Sequence, residues 1–157
     1  MMKIYLGSPF FNQEQLHRVQ GVEKALEENS TVTEVFSPRL QQVDHLEHGS
    51  DEWRETVYNN DIKHVEWCDA IVAVHDYEGK HVDPGTAFEI GYAKAKGKFI
   101  VLYQEKDPEH EAPVNLMLSD SLDVYLQDLD DLKQYDFNER KPIRLEKYFF
   151  DEVAEEE

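Results

Sequence analysis

Two carboxylates lie six residues apart in the segment Asp83-Pro84-Gly85-Thr86-Ala87-Phe88-Glu89-Ile90-Gly91. An acid followed by proline is the signature of a helix N-cap and first helical position, so Asp83 opens a helix. The helix continues through Glu89 to Ala95, and Gly97 ends it. Helical side chains lean toward the N-terminus of their helix, which points Glu89 back over Gly85. Gly85 has no Cβ there, so a ligand can approach the carboxylate closely. The chemistry open to such an acid is nucleophilic attack or proton transfer. Geometry alone favours Glu89 as a solvated helix residue and leaves Asp83 equally readable as a simple cap.

A third acid is out of place. Ser50 is a suitable cap for a helix from Asp51 to Trp67. At about 100° per residue, Trp53, Val57, Tyr58, Ile62 and Val65 share one face of it, and Asp61 falls near the middle of that stripe. Asp61 reads either as a buried acid hydrogen-bonded to a neighbouring loop or as part of a site. Asp61, Asp83 and Glu89 around one cavity, with no obvious lysine or arginine to neutralise them, suit a division of labour. One carboxylate ionises as nucleophile, and another is kept protonated as acid by burial and like charge.

Other chemistries fit less well. The loop Gly7-Ser8-Pro9-Phe10-Phe11 follows the first strand where a dinucleotide-binding glycine motif would stand, yet it holds a single glycine, which argues against NAD or FAD. Its two phenylalanines could form a wall for a nucleobase to stack on, or serve the core or an interface. Asp44-His45-Leu46-Glu47-His48 lacks the one-turn histidine spacing of a zinc helix, so no metal and no cofactor are expected. The remaining histidines, His17, His64, His75, His81 and His110, are scattered. Cys68, the single cysteine, precedes an apolar run and is expected to be a buried packing thiol.

These residues need a scaffold that gathers them. Short β-branched runs at Lys3 to Gly7, Val32 to Phe36, Ala70 to His75, Phe99 to Tyr103 and Leu122 to Tyr125 alternate with helical patterns. The first helix carries Leu16, Val19, Val22 and Leu26 on one side, with Asn12 and Gln15 spaced as a capping pair. The expected fold is α/β: a single-domain, doubly wound, flavodoxin- or Rossmann-like five-stranded parallel sheet flanked by helices, in the order 2-1-3-4-5. Its ligand crevice would lie between strands 1 and 3, gathering Gly7 to Phe11, Asp76 to Asp83 and the start of the third helix. One domain is expected over 1–150, with 151–157 as a frayed acidic tail.

With 34 acidic against 16 basic residues, the net charge of −18 disfavours nucleic acid and anionic membranes and suits a neutral small molecule. No apolar run approaches the roughly 20 residues of a membrane span, and the first residues do not form a signal peptide. A cytoplasmic protein is expected.

Taken in order, Tyr5 and Gly7, Tyr58-Asn59-Asn60-Asp61, Asp83-x-Gly-Thr-x-x-Glu89-x-Gly and Val114-Asn115-Leu116-Met117 resemble the nucleoside 2-deoxyribosyltransferases. The likeness runs from Lys3 to about Lys141. It implies a ping-pong transfer of 2-deoxyribose between nucleobases, with retained β configuration and a covalent ester on Glu89. Tyr5 would orient the nucleophile, and Asp61 and Asp83 would bind base and sugar, one of them exchanging the proton of the base. Gln42 matches a base-contacting glutamine and Phe11 an aromatic wall residue. Asn115 and Met117 match residues that reach the neighbouring subunit's site. The implied partners are 2′-deoxynucleosides and free purine or pyrimidine bases, and the implied assembly is a homo-oligomer, a hexamer built as a trimer of dimers. Some relatives end on a tyrosine that helps close the site, whereas this chain continues through Phe149-Phe150 into acidic residues. Two rivals stand beside transfer: N-glycoside hydrolysis of deoxynucleoside 5′-monophosphates, which would need a cationic phosphate cradle, and a non-catalytic nucleoside-binding module.

Overall fold

The structure, a computed structural model, describes residues 1–146 and 154–157. The continuation through Phe149 and Phe150 and the first part of the acidic tail, 151–153, lie outside the described residues. Residues 154–157 are exposed and carry no regular structure. Among the described residues five parallel strands, β1 (Lys3–Gly7), β2 (Glu34–Phe36), β3 (Ala70–Val74), β4 (Phe99–Tyr103) and β5 (Val124–Leu126), form one sheet in the order β2-β1-β3-β4-β5. This is the doubly wound order expected from the sequence, with its switch point between β1 and β3.

Two strands differ from expectation at their starts. Val32 N–H bonds Asn29 O, and the N–H groups of Thr33 and Glu34 both reach Met2 O, so the chain is still turning where β2 was expected to begin. At the other edge Leu122 N–H closes a turn onto Leu118 O. The Asp123 side chain accepts from Ile100 N–H at 2.9 Å, so β5 starts later, at Val124.

The helices are α1 (Gln13–Glu28), α2 (Asp51–Trp67), α3 (Pro84–Ala95), the short α4 (Leu116–Ser119) and α5 (Leu129–Gln134), with a 3-10 turn at Pro38–Leu40. Their ends follow the capping chemistry. Asn12 accepts from Gln15 N–H, Ser50 from Trp53 N–H and Asp83 from Thr86 N–H. Gln15 reaches back one residue further than a capping box does, accepting from Phe11 N–H at 2.8 Å and so tying the loop after β1 to α1. At the end of α3, Gly97 has φ 71°, and the bonds Gly97 N–H to Lys94 O and Lys98 N–H to Ala93 O close a left-handed cap.

Strand alternation divides the core between the two faces of the sheet. Ile4 and Leu6 join Val72, Val74, Val101 and Tyr103 beneath Val19, Val22 and Leu26 of α1, with Leu132 of α5 alongside. Tyr5, on the opposite face of β1, packs with Ile71, Ile100 and Leu102 beneath α2 and α3, which supply Val65, Ile90 and Ala93. Cys68 is buried here, donates to Val65 O, and has its thiol pushed up to about 11 by burial. No helix among the described residues is long and apolar enough to cross a membrane.

Candidate active site

The face of β1 that carries Tyr5 is the face covered by α3, and this brings the two chemistries together. The Tyr5 hydroxyl donates to Glu89 Oε2. The other oxygen of Glu89 lies beside Gly7, where a Cβ would sit 3.3 Å from Oε1. Gly7 is thus the residue that lets β1 pass this close to a carboxylate. Tyr5 is itself fully buried and stacks on Phe36 at 5.6 Å between centroids, so its hydroxyl is held rather than swinging. Burial, reinforced by Glu89 and Asp61, raises its phenol far above the ordinary tyrosine range, and it stays a donor at any physiological pH.

Glu89 opens onto a cavity of about 470 Å³ whose wall also includes Asp61, Asp83 and Gly85. The four expected residues therefore meet. Burial pushes Glu89 up to about 8, with the negative charges of Asp61 and Asp83 adding and the Tyr5 hydrogen bond opposing. Burial likewise pushes Asp61 up to about 6. Asp61 makes no hydrogen bond to any described residue, which removes the reading of an acid anchored to a loop. Asp83 differs: its Oδ2 accepts from both the N–H and the hydroxyl of Thr86, at 3.0 and 3.2 Å. Capping and the site are thus two uses of one side chain. A Cβ at Gly85 would fall 3.1 Å from the same Asp83 oxygen.

Phe11 and Gln42 both line the cavity, Phe11 standing out at 65% exposure and Gln42 tied back by its Nε2 to Pro38 O at 3.2 Å. The apolar stripe of α2 turns out to face this cavity more than the core. Val65 is its one fully buried residue, while Trp53, Val57 and Ile62 are partly exposed along the wall. Gln41, beside Gln42, lines the same wall; sequence reasoning missed His48, whose ring lies 4.4 Å from Trp53, and Phe88. The one signal for them was Asp61 itself, since an acid in an apolar stripe implies that the stripe meets solvent or ligand.

One expected group is not in this cavity. The loop after β3 contributes only Asp83. Lys80, His81 and Val82 line a separate cavity of about 810 Å³ on the other flank of α3. Asp76 is wholly buried and accepts from Glu105 and Lys106 N–H, each at 2.8 Å, so it pins the loop after β4 instead of meeting a ligand. Asn115 and Met117 line that second cavity, apart from Glu89 of the same chain. The Asn115 side chain caps α4 by accepting from Met117 N–H at 2.8 Å, and Met117 is 74% exposed.

Residues 4–117 match the family model described as nucleoside 2-deoxyribosyltransferase. The chain belongs to the nucleoside 2-deoxyribosyltransferase family. Among similar proteins, the nucleoside deoxyribosyltransferase of Limosilactobacillus fermentum is 37% identical over 149 residues, covering 87% of this chain and 86% of that one. The nucleoside deoxyribosyltransferase of Lactobacillus leichmannii is 29% identical over 144 residues, with 86% and 89% covered. Among solved structures, the 2-deoxyribosyltransferase of Bacillus psychrosaccharolyticus superposes with a TM-score of 0.77 at 41% identity, covering 90% of this chain and 98% of that one. The 2-deoxyribosyltransferase of Leishmania mexicana superposes with a TM-score of 0.60 at 26% identity, covering 80% and 90%. As a member of this family the chain is an enzyme of the pentosyltransferase type, with Tyr5, Asp61, Asp83 and Glu89 all inside the matched span.

Proposed function

We propose that the protein transfers 2-deoxyribose between nucleobases by double displacement, with Glu89 as the nucleophile. The observation that carries this reading is the state of Glu89: one oxygen held by a tyrosine that can only donate, the other beside Gly7, at the wall of a cavity shared with two further acids. In the first half, a Glu89 oxygen forms a bond to C1′ of a 2′-deoxynucleoside. The C1′–N bond breaks, and its electron pair stays on the base nitrogen, which takes a proton from an acid. A second base then attacks C1′ of the ester from the side the first one left, gives up its proton and restores Glu89. Two inversions retain the β configuration.

Asp61 is the better proton carrier of the two aspartates. Asp83 already accepts two hydrogen bonds from Thr86, while Asp61 has no hydrogen-bond partner among the described residues and burial keeps it protonated to about pH 6. Between about pH 6 and about pH 8 the Glu89–Asp61 pair holds one proton. Its productive form has that proton on Asp61 and Glu89 ionised. Phe11 and Trp53 supply stacking surface for the base, and Gln42 a polar edge. A phosphorylated substrate is disfavoured, because no lysine or arginine is among the described residues lining the cavity.

Asn115 and Met117 support an oligomer in which each subunit completes its neighbour's site, since they lie outside their own. The free, buried Cys68 suits the reducing conditions of the cytoplasm. The test of the reading is incubation with 2′-deoxyuridine and adenine, with separation of the products. Formation of 2′-deoxyadenosine is expected. Release of free deoxyribose alone would replace transfer by hydrolysis, and no reaction would end the catalytic reading.

A further inference from the structure

The cavity at Glu89 is rich in acids. Three carboxylates, Asp61, Asp83 and Glu89, line it, and no lysine or arginine is among the described lining residues. Its other walls include the aromatic rings of Phe11, Trp53, Tyr58 and Phe88. Acids with no lysine or arginine among the described lining residues, beside aromatic faces, form an environment that attracts a cation twice over, by direct charge and through the ring quadrupoles. We propose that the enzyme also uses cationic N-glycosides as deoxyribose donors, 2′-deoxynucleosides whose base is a quaternised, positively charged heterocycle. This rests on the transfer reading above and extends it to a different class of donor.

The chemistry of such a donor differs at one step. When Glu89 forms its bond to C1′, the C1′–N electron pair neutralises the cationic ring, and the base departs as a neutral molecule. No proton has to be delivered. The positive ring beside the carboxylates also favours the ionised form of Glu89, so binding prepares the nucleophile. In the second half the proton that Asp61 did not deliver passes to solvent, and a neutral acceptor base attacks the ester and gives its N–H proton to the aspartate so freed. The sum is one cation and one neutral base giving a neutral nucleoside, a neutral base and a proton. Transfer from such a donor is therefore driven toward product, because the return reaction would have to recreate the cation.

The experiment compares two donors with adenine as common acceptor and the full-length protein: 2′-deoxyuridine, and the 2′-deoxy-β-ribosyl derivative of nicotinamide, a permanent cation with no titrating ring proton. An enzyme-free control subtracts spontaneous cleavage. Both donors are expected to give 2′-deoxyadenosine. For 2′-deoxyuridine, kcat/KM should fall by about tenfold one pH unit above the alkaline limb near 8, where the Glu89–Asp61 pair loses its one proton. For the cationic donor measured as the first half-reaction, the release of nicotinamide, the same step in pH should change kcat/KM by less than about twofold. If 2′-deoxyuridine supports exchange and the cationic donor does not, this inference fails and the transfer reading stands. A cationic donor that shows the full alkaline fall would overturn the claim that its base leaves without a proton. If neither donor yields 2′-deoxyadenosine, the transfer reading falls and this inference with it.

Discussion

Glu89 is a buried acid whose ionisation costs the fold stability. Its ordinary value of 4.5 rises to about 8 in the folded protein, chiefly through burial. The folded form therefore holds its proton more tightly than the unfolded chain does. Below pH 4.5 both states are protonated and nothing is lost. As pH rises toward 8 the unfolded chain gains by ionising first, so stability falls across that window, and above it the loss is complete. Glu89→Gln keeps the shape and cannot ionise. Thermal melts should show it more stable than the parent by roughly 5–10 °C at pH 9, and within about 2 °C of it at pH 4.5. An equal offset at both pH values would mean that the gain has another source. The positions of the acids were readable from sequence, through Gly85 behind Glu89 and through Asp61 in an apolar stripe. Their protonation was not, because it depends on how deeply three loops and α2 bury them together.

At the scale of elements, α3 shows one residue that both caps a helix and lines the cavity. Asp83 caps the helix through Thr86, and the same carboxylate lines the cavity with Glu89. Asparagine caps about as well as aspartate, whereas alanine removes the cap at a cost of about 1 kcal/mol. Asp83→Asn should thus melt within about 1 °C of the parent yet lose at least roughly tenfold in kcat/KM, while Asp83→Ala loses both stability and rate. An Asp83→Asn enzyme of full activity would reduce Asp83 to a cap. Caps at Asn12, Ser50 and Asp83 were legible because they are local hydrogen-bond patterns. The edge strands were less so. Val32 and Leu122 look like strand residues, but their N–H groups are taken by turns closing onto Asn29 and Leu118, contacts that propensity does not encode. The stripe of α2 gave the right residues and the wrong neighbour, since periodicity cannot tell a core from a cavity wall.

On the scale of the whole molecule, the doubly wound order follows from strand and helix alternation, and it puts Tyr5 and α3 on one face by simple parity along β1. The placement of Asn115 and Met117 on the far flank of α3 could not be read from the chain in isolation. If they finish a neighbour's site, an inactive Glu89→Ala protein and a weakened Asn115→Ala protein should complement. Dissociating, mixing and reassembling them should recover about a quarter of the parent's activity, from mixed pairs with one intact site. Recovery no greater than the sum of the separate variants would place Asn115 outside a shared site.

The claim on which all of this depends is that deoxyribose rests on Glu89. Incubating the enzyme with 2′-deoxyuridine and no acceptor, quenching in acid and analysing peptides by mass spectrometry tests it directly. A peptide containing Glu89 is expected to gain one deoxyribosyl group, to lose it when adenine is added before the quench, and never to gain it in Glu89→Gln. Capture of the sugar on Asp61 or Asp83, or exchange that proceeds at full rate in Glu89→Gln, would contradict it.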